Sequence, residues 1–315
     1  MRMVMIFNKM SSNTKKFLLL LLITIGIFAL LFSRIDFFSI IHILLNINLL
    51  TLVIAFLFTF VLTLIMSKRW QILLHASCID ISFKESFEII IGTYPFAAIM
   101  PSMSSDLVRA IPLKDRYRLS KVIGSCISEK TFDFLILLLI LFIGMSLTNN
   151  WNYLNILVIS LLLIIIFIFF IRKRFTLPVS ERWNERLSNI FDSLRIVIKD
   201  KYTVLIVIFY TLSIWILSVF QVILFFYAVN VSVPLTVICA FIPLAIFIGL
   251  IPVSLGGAGT RDAAIILLFA QYGTTSQLLA VGILFSFFRC WLPAIIGLPF
   301  MEKMGITKVL KKPDY

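Results

Sequence analysis

Two short segments of the sequence place an arginine and an aspartate beside a proline and several small residues, within otherwise apolar stretches. They are residues 100–109 and 251–262, and their charged residues are Asp106, Arg109, Arg261 and Asp262. Arginine presents a planar fork of N–H donors that matches the oxygen atoms of a phosphate group. We therefore predict that both arginines bind an anionic group, most simply a lipid phosphate. The two aspartates would hold the arginines or be displaced by the ligand.

The residues around these charges are small or carry hydroxyl groups, which suits the start of a helix. A helix that begins after Ser104 and Ser105, and another after Gly259 and Thr260, would direct free N–H groups and a positive dipole end at the same anion. The predicted binding residues therefore also include Ser104, Ser105, Gly256, Gly257 and Gly259. The alternative is that each Arg and Asp pair only ties its own segment together.

A third group of charges contains Glu129 and Asp133, which stand one helical turn apart. Residues at this spacing share one face of a helix, whereas Lys130 is expected to point elsewhere. One interpretation is an acidic pair that lines a cavity and carries protons or contacts a cationic head group. The alternative is an ion-pair network with the basic loop that precedes it.

Three other polar positions have structural or functional interpretations. Arg289 and Gln221 lie inside apolar stretches. They would line the same cavity as the charges described above, or Arg289 would extend to the membrane surface. Arg69 stands between Lys68 and Trp70 at the end of an apolar stretch, a pattern typical of a membrane interface.

The cysteines and histidines do not form a ligand pattern, and we predict no metal and no cofactor. The four cysteines and two histidines are widely spaced: Cys78, Cys126, Cys239, Cys290, His42 and His75. The glycine-rich segment is not a phosphate-binding loop of nucleotide-binding proteins, because no Gly-Lys-Ser/Thr follows it.

The composition is that of an all-α integral membrane protein. Of the 315 residues 61% are hydrophobic and 14% are charged, and the mean hydropathy is +1.09. Soluble domains carry about 25% charged residues. The net charge of +13 comes from basic residues between apolar stretches, where they set orientation and meet anionic lipids. We therefore predict membrane lipids rather than nucleic acid as partners.

Six apolar stretches are long enough to cross a bilayer, which needs about 20 residues. They are residues 17–33, 49–67, 122–147, 153–171, 202–229 and 276–299. Two further stretches, 85–121 and 235–272, are interrupted at the segments described above and are predicted to be re-entrant. Such a break at membrane depth is tolerated only where protein buries it or where it lines a wet cavity. Residues 180–200 have the pattern of an amphipathic helix on the membrane surface.

The distribution of basic residues predicts cytoplasmic N and C termini. Residues 1–150 and 151–315 would then each hold three spans and one re-entrant hairpin. Because three is odd, the second half would be inverted relative to the first. This is the organisation of inverted-repeat transporters, in which broken helices form a site near the middle of the membrane.

Three motifs resemble those of the lysylphosphatidylglycerol synthase transmembrane family, also called the flippase-like or UPF0104 family. Residues 252–264 resemble its Gly-x-Gly-x-Arg-Glu signature, residues 100–110 its Pro-x-x-x-Gly-Asp-x-x-Arg motif, and residues 129–133 its Glu-Arg-x-x-Asp motif. The chain departs from the family pattern at three positions, which are Ser105 for Gly, Lys130 for Arg and Asp262 for Glu.

The resemblance implies a membrane domain that moves aminoacylated or glycosylated lipids between leaflets of the cell (plasma) membrane. Bifunctional members of the family carry a soluble aminoacyl-transferase domain. The sequence ends sixteen residues after Pro299, so we expect any transferase to be a separate partner.

Three hypotheses follow. The leading one is a lipid translocase of the inner membrane, acting on a phospholipid or a polyprenyl-linked head group. The second is a membrane-embedded glycosyl- or aminoacyl-lipid transferase, with Glu129, Asp133 or Asp106 as its base. The third is a non-transporting partner in the assembly of cell-envelope glycans.

Overall fold

The computed structural model describes residues 37–99, 105–148, 195–250 and 259–304, together with residues 26, 155, 158, 159, 161, 162 and 257. All regular structure in these residues is helical, as predicted. Apart from those single residues, the predicted spans 17–33 and 153–171 lie outside the described part of the chain. So does most of the predicted surface helix, of which residues 195–199 are helical.

In chain order the helices are α1 (Phe37–Leu45), α2 (Leu49–Ala76), α3 (Phe83–Ile99), a 3₁₀ segment (Ser105–Leu113), α4 (Leu119–Leu147), α5 (Lys201–Ala228), α6 (Leu235–Leu250), α7 (Thr260–Leu268), α8 (Thr275–Ser286), a π-helical turn (Phe287–Trp291) and α9 (Leu292–Lys303). Four helical stretches are long and apolar enough to cross a membrane, namely α2, α4, α5 and the continuous Thr275–Lys303. They contain most of the predicted spans 49–67, 122–147, 202–229 and 276–299.

The two interrupted stretches each form a helix, a break and a shorter helical segment. The first is α3 followed by the 3₁₀ segment, and the second is α6 followed by α7. The breaks at residues 100–104 and 251–258 lie outside the described residues, except for Gly257. Their re-entrant path through the membrane, and the side on which the termini lie, stay predictions.

The same series of helices occurs twice along the chain. The first series has lengths of 28, 17, 9 and 29 residues, and the second has 28, 16, 9 and 29. The opening helix of each series begins at a capped position, because Asn48 accepts a hydrogen bond from the N–H of Leu50 and Asp200 accepts one from that of Tyr202. Two structural repeats would give this succession of helix lengths.

The contacts between the two series are reciprocal. Helix α3 of the first series packs against α9 of the second, and α6 of the second packs against α4 of the first. The opening helices α2 and α5 pack against each other. Reciprocal contacts of this kind are expected when two units are related by a two-fold axis.

Two glycines allow the reciprocal helix pairs to approach closely. A Cβ atom on Gly144 of α4 would lie 2.4 Å from the backbone nitrogen of Ala240 in α6. A Cβ atom on Gly297 of α9 would lie 2.3 Å from the carbonyl oxygen of Ile91 in α3. Small residues at helix crossings are the usual means by which membrane helices pack closely.

Two apolar clusters surround the polar residues described below. The larger is built mainly on α5 to α8, with further residues from α2 and α4, and includes the buried rings of Phe225, Phe226, Phe241 and Phe269. The smaller joins α2, α3 and α4 and includes Trp70, Leu74, Ile89 and Ile90. The polar residues are therefore held by side chains from both series.

We predict that Gly144→Ala and Gly297→Ala each lower the free energy of unfolding by about 1–3 kcal/mol, because the added methyl group must displace backbone atoms of the facing helix. Denaturant titration in detergent micelles measures this change. Gly26→Ala is the matched control, since a Cβ atom there meets nothing within 4 Å. Equal stability of all three variants would contradict the close helix approach.

Candidate functional site

Arg69 of α2 lies at the centre of a buried group of charges. It is fully buried, with 0% of its surface exposed. Its Nη2 donates to Glu129 Oε1 at 2.6 Å, and its Nη1 donates to Asp133 Oδ1 at 2.6 Å and to Thr211 Oγ1 at 3.0 Å. The expectation that Arg69 anchors the protein at the membrane interface is therefore wrong. Glu129 and Asp133 do share one face of α4, and they share one cation.

Arg109 of the 3₁₀ segment contacts the same carboxylate from another side. Its Nη1 donates to Glu129 Oε2 at 2.6 Å and its Nη2 to Asp106 Oδ1 at 2.7 Å. Its guanidinium carbon lies 5.6 Å from the centre of the Trp70 ring. Glu129 therefore has an arginine on each oxygen atom, and Arg109 is enclosed by protein groups. This geometry agrees with the interpretation that Arg109 and Asp106 tie their segment together.

Lys130 also belongs to this group, contrary to the expectation that it points elsewhere. Its Nζ lies 2.9 Å from Asp106 Oδ2 and 3.9 Å from Asp133 Oδ2. We call the six residues the ion-pair cluster: Arg69, Asp106, Arg109, Glu129, Lys130 and Asp133. Three cations face three carboxylates in it, so that each buried charge has a partner. Buried charges are tolerated where such pairing offsets the cost of removing them from water.

Arg261 begins the corresponding helix of the second series but has a weaker carboxylate contact. Its Nη2 donates to the Ser286 hydroxyl and lies 3.7 Å from Asp262 Oδ1. Among the described residues its Nε has no hydrogen-bond partner, as is also the case for the Nε atoms of Arg69 and Arg109. Asp262 instead accepts a 3.0 Å hydrogen bond from the Gly259 N–H through Oδ2. The aspartate therefore caps α7, which begins at Thr260, one residue before the predicted start, and holds the arginine only loosely.

Glycine conformation allows the chain to return against α6 before α7 begins. Gly257 and Gly259 have φ angles of +74° and +88°, which side chains rarely permit. A Cβ atom on Gly257 would also lie 2.6 Å from the carbonyl oxygen of Gly249. Two other predicted binding residues, Ser104 and Gly256, lie outside the described residues. Ser105 is the first residue of the 3₁₀ segment.

Arg289 lies next to Arg261, on the π-helical turn Phe287–Trp291. The two side chains line one cavity of about 130 Å³, together with Trp215, Phe285 and others. Their guanidinium carbons lie 4.3 Å (Arg261) and 5.9 Å (Arg289) from the centre of the Phe285 ring. We call this cavity the arginine pocket. π-Helical turns of this kind occur frequently at functional sites.

The arginine pocket carries positive charge that its own walls do not neutralise. Its described lining residues include two arginines and no carboxylate. Within the described part of the chain, Arg289 forms no hydrogen bond and no ion pair. Gln221, predicted as a possible neighbour, instead donates to the Ala55 carbonyl and to Thr59 Oγ1 and so joins α5 to α2. Chemically, the pocket can accept a small anionic group.

A single tryptophan separates the two charged sites. Trp215 of α5 donates its Nε1–H to Asp133 Oδ1 of the ion-pair cluster at 3.2 Å. Trp215 also lines the arginine pocket. Arg109 and Arg261 therefore lie in different environments, one inside a neutral cluster and one in a cationic cavity. Among the described residues no group of His, Cys, Asp or Glu side chains has the arrangement of a metal site.

We predict that Arg69→Met lowers the free energy of unfolding by about 3–5 kcal/mol, because it leaves two buried carboxylates short of a cation. Lys68→Met is the matched control on the adjacent position, where the lysine only donates to Gln71. Its expected change is within about 0.5 kcal/mol. Denaturant titration of both variants measures the difference, and equal stabilities would show that Arg69 does not hold the cluster together.

Comparison with known proteins identifies the family. The family model of the lysylphosphatidylglycerol synthase TM region matches residues 17–297. A UPF0104 membrane protein of Methanothermobacter thermautotrophicus is 24% identical over 290 residues, which cover 80% of this chain and 86% of that protein. Both matches confirm the resemblance that the three sequence motifs indicated. The chain therefore belongs to the family of the lysylphosphatidylglycerol synthase transmembrane region, and it is a multi-pass membrane protein.

Proposed function

We propose that this protein binds the phosphate of an aminoacylated or glycosylated lipid in the arginine pocket and moves the lipid between the leaflets of the plasma membrane. The observation that carries this proposal is the presence of two arginines in one cavity without a carboxylate among its described lining residues. Asp262, at 3.7 Å from Arg261, compensates this positive charge only in part, and incompletely compensated charge inside a membrane protein is costly. Its retention points to a ligand.

The energetic argument compares the two sets of arginines. An arginine at the centre of a membrane helix costs about 2.5–3.5 kcal/mol on insertion scales. Arg69 and Arg109 recover this cost through two close carboxylates each. Arg261 and Arg289 have a shared aromatic ring and one carboxylate at 3.7 Å from Arg261. A phosphate group would supply the missing acceptor oxygens, in the bidentate geometry that guanidinium favours.

The family supports a lipid as the source of the phosphate. The name of the family refers to lysylphosphatidylglycerol, which is an aminoacylated phospholipid. Two of the helical stretches that are long and apolar enough to span a membrane, α5 and Thr275–Lys303, contribute residues to the pocket lining. Anionic lipids also give the cytoplasmic surface of the membrane a negative potential that attracts basic residues.

The reciprocal packing of the two series supports movement of the lipid as well as binding. In inverted-repeat transporters, one repeat moves against the other around a site formed by broken helices. The arginine pocket is lined by residues of α5, α6, α7, α8 and the π-helical turn. The ion-pair cluster lies beside it on α2, α4 and the 3₁₀ segment. We propose that the two halves are inverted repeats with both termini in the cytoplasm, and that the cluster gives the first half its rigidity.

The transferase alternative requires a carboxylate that is free to accept a proton. Asp106, Glu129 and Asp133 each contact at least one cation. Acting as a base would therefore require the loss of an ion pair at the reacting residue. The translocase proposal requires no such loss.

We predict that Arg261→Gln and Arg289→Gln each slow lipid translocation by about tenfold or more, since a hydrogen bond to a charged group contributes about 1.5–3 kcal/mol. Proteoliposomes with labelled phosphatidylglycerol or lysylphosphatidylglycerol, followed by a probe that reaches only one leaflet, measure the rate. Arg116→Gln is the control, because Arg116 is half exposed and pairs with Glu85 outside the pocket.

Folding of the variants is checked by their elution from a sizing column and by their unfolding midpoint. Unchanged rates in both pocket variants would contradict the proposed site. The appearance of a covalently modified lipid with purified protein would favour the transferase alternative instead.

A further inference from the structure

An apolar groove runs along the protein surface beside the arginine pocket. Its volume is about 250 Å³, and α2, α3 and α9 form its walls. Six of its apolar lining residues are Phe56, Phe60, Phe87, Ile91, Ile296 and Phe300. Three of these, Phe56, Phe60 and Ile296, are 41%, 47% and 38% exposed. The groove is therefore open on its outer side, where the hydrocarbon of the membrane would lie.

The inner end of the groove leads toward the arginines. Thr59, Thr63, Tyr94 and Pro293 line the groove and also line a second cavity of about 90 Å³. Arg289 lines that second cavity and the arginine pocket as well. Three cavities thus follow one another through shared walls, from the apolar surface to the two guanidinium groups.

The polarity of the walls changes along this path. The groove is lined by aromatic and aliphatic side chains, and the second cavity presents hydroxyl groups. The hydroxyl oxygens of Tyr94 and Thr63 lie 3.3 Å apart, and the Thr59 hydroxyl accepts a hydrogen bond from Gln221. The path ends at Arg289 and Arg261. Along the path the walls are first apolar, then carry hydroxyl groups, and finally carry positive charge. This order matches a lipid with a hydrocarbon chain, an ester or glycerol region and a phosphate.

Helix packing leaves room for a molecule to enter from the side. Helix α2 packs against α3 and the π-helical turn, whereas α9 packs mainly against α3. The side chains of Phe60 and Phe87 form an edge-to-face pair with ring centres 6.4 Å apart at one wall of the groove. The opposite wall is formed by Ile296 and Phe300 of α9.

We propose that the groove holds a hydrocarbon chain of the same lipid whose phosphate binds Arg289 and Arg261, so that the lipid enters sideways between α2 and α9. This inference rests on the proposed function and adds to it the entry route and the position of the chain. Two features select a lipid as the occupant. They are the walls that the groove shares with the second cavity, and the positive charge of Arg289, which lines both that cavity and the arginine pocket.

The test uses phosphatidylglycerol with a photoreactive diazirine in one acyl chain, reconstituted with the full chain in vesicles of phosphatidylcholine. After illumination, we expect adducts on groove residues, identified by mass spectrometry of peptides. Ile296→Trp fills the mouth of the groove and is expected to reduce these adducts by about tenfold. Ile295→Trp is the control, since Ile295 is adjacent, is 62% exposed and does not line the groove.

The two proposals fail in different ways. If Arg289→Gln loses translocation but Ile296→Trp leaves the groove adducts unchanged, the proposed role of the groove is contradicted. The proposed role of the arginine pocket is then retained. Equal labelling by a diazirine diacylglycerol, which lacks a phosphate, would show general contact with lipid and would also overturn the inference. Adducts between two copies of the protein at the groove, with none to lipid, would identify a second copy as the occupant and overturn it too.

Discussion

The contact of Arg69 with Glu129 and Asp133 is the interaction on which the remaining arrangement depends. It joins α2 to α4 inside the protein, and the hydrogen bond from Arg69 to Thr211 extends it to α5. Arg109 then attaches the 3₁₀ segment to the same carboxylate. Because these charges neutralise one another, they fix the geometry of the helices without leaving a site for an external ion. Excess positive charge is left at Arg261 and Arg289.

The same residue type therefore has two roles that depend on its surroundings. An arginine that contacts two carboxylates at 2.6 Å is a structural group, and removing its partners leaves a buried charge unpaired. An arginine that faces an aromatic ring and a cavity keeps N–H donors for a ligand. Trp215 contacts both sites, so a change of position in the cluster has a direct route to the wall of the arginine pocket. The family assignment places this pair of sites in a membrane protein of the lysylphosphatidylglycerol synthase TM-region family.

Much of this organisation follows from local patterns, and the rest requires long-range contacts. Apolar length predicted the four membrane-length helices that the structure describes, the motifs predicted the family, and one-turn spacing placed Glu129 and Asp133 on one face. Arg69 was misinterpreted because the Lys-Arg-Trp group looks like the end of a span, although α2 continues to Ala76. Helical spacing does contain the missing signal, since Arg69 falls on the buried stripe of α2: Ala55, Thr59, Leu62, Arg69 and Leu73. The difference between Arg109 and Arg261 was not predictable, because it depends on which carboxylate of a distant helix reaches each guanidinium group.

The most direct test of the central claim is the structure of this protein by electron cryomicroscopy, in nanodiscs that contain phosphatidylglycerol. The account predicts density for a phosphate group in the arginine pocket, within about 3 Å of guanidinium nitrogens of both Arg261 and Arg289. The ion-pair cluster is expected to be intact in the same map. An empty arginine pocket together with a phosphate bound at Arg109, in place of Asp106 or Glu129, would contradict it.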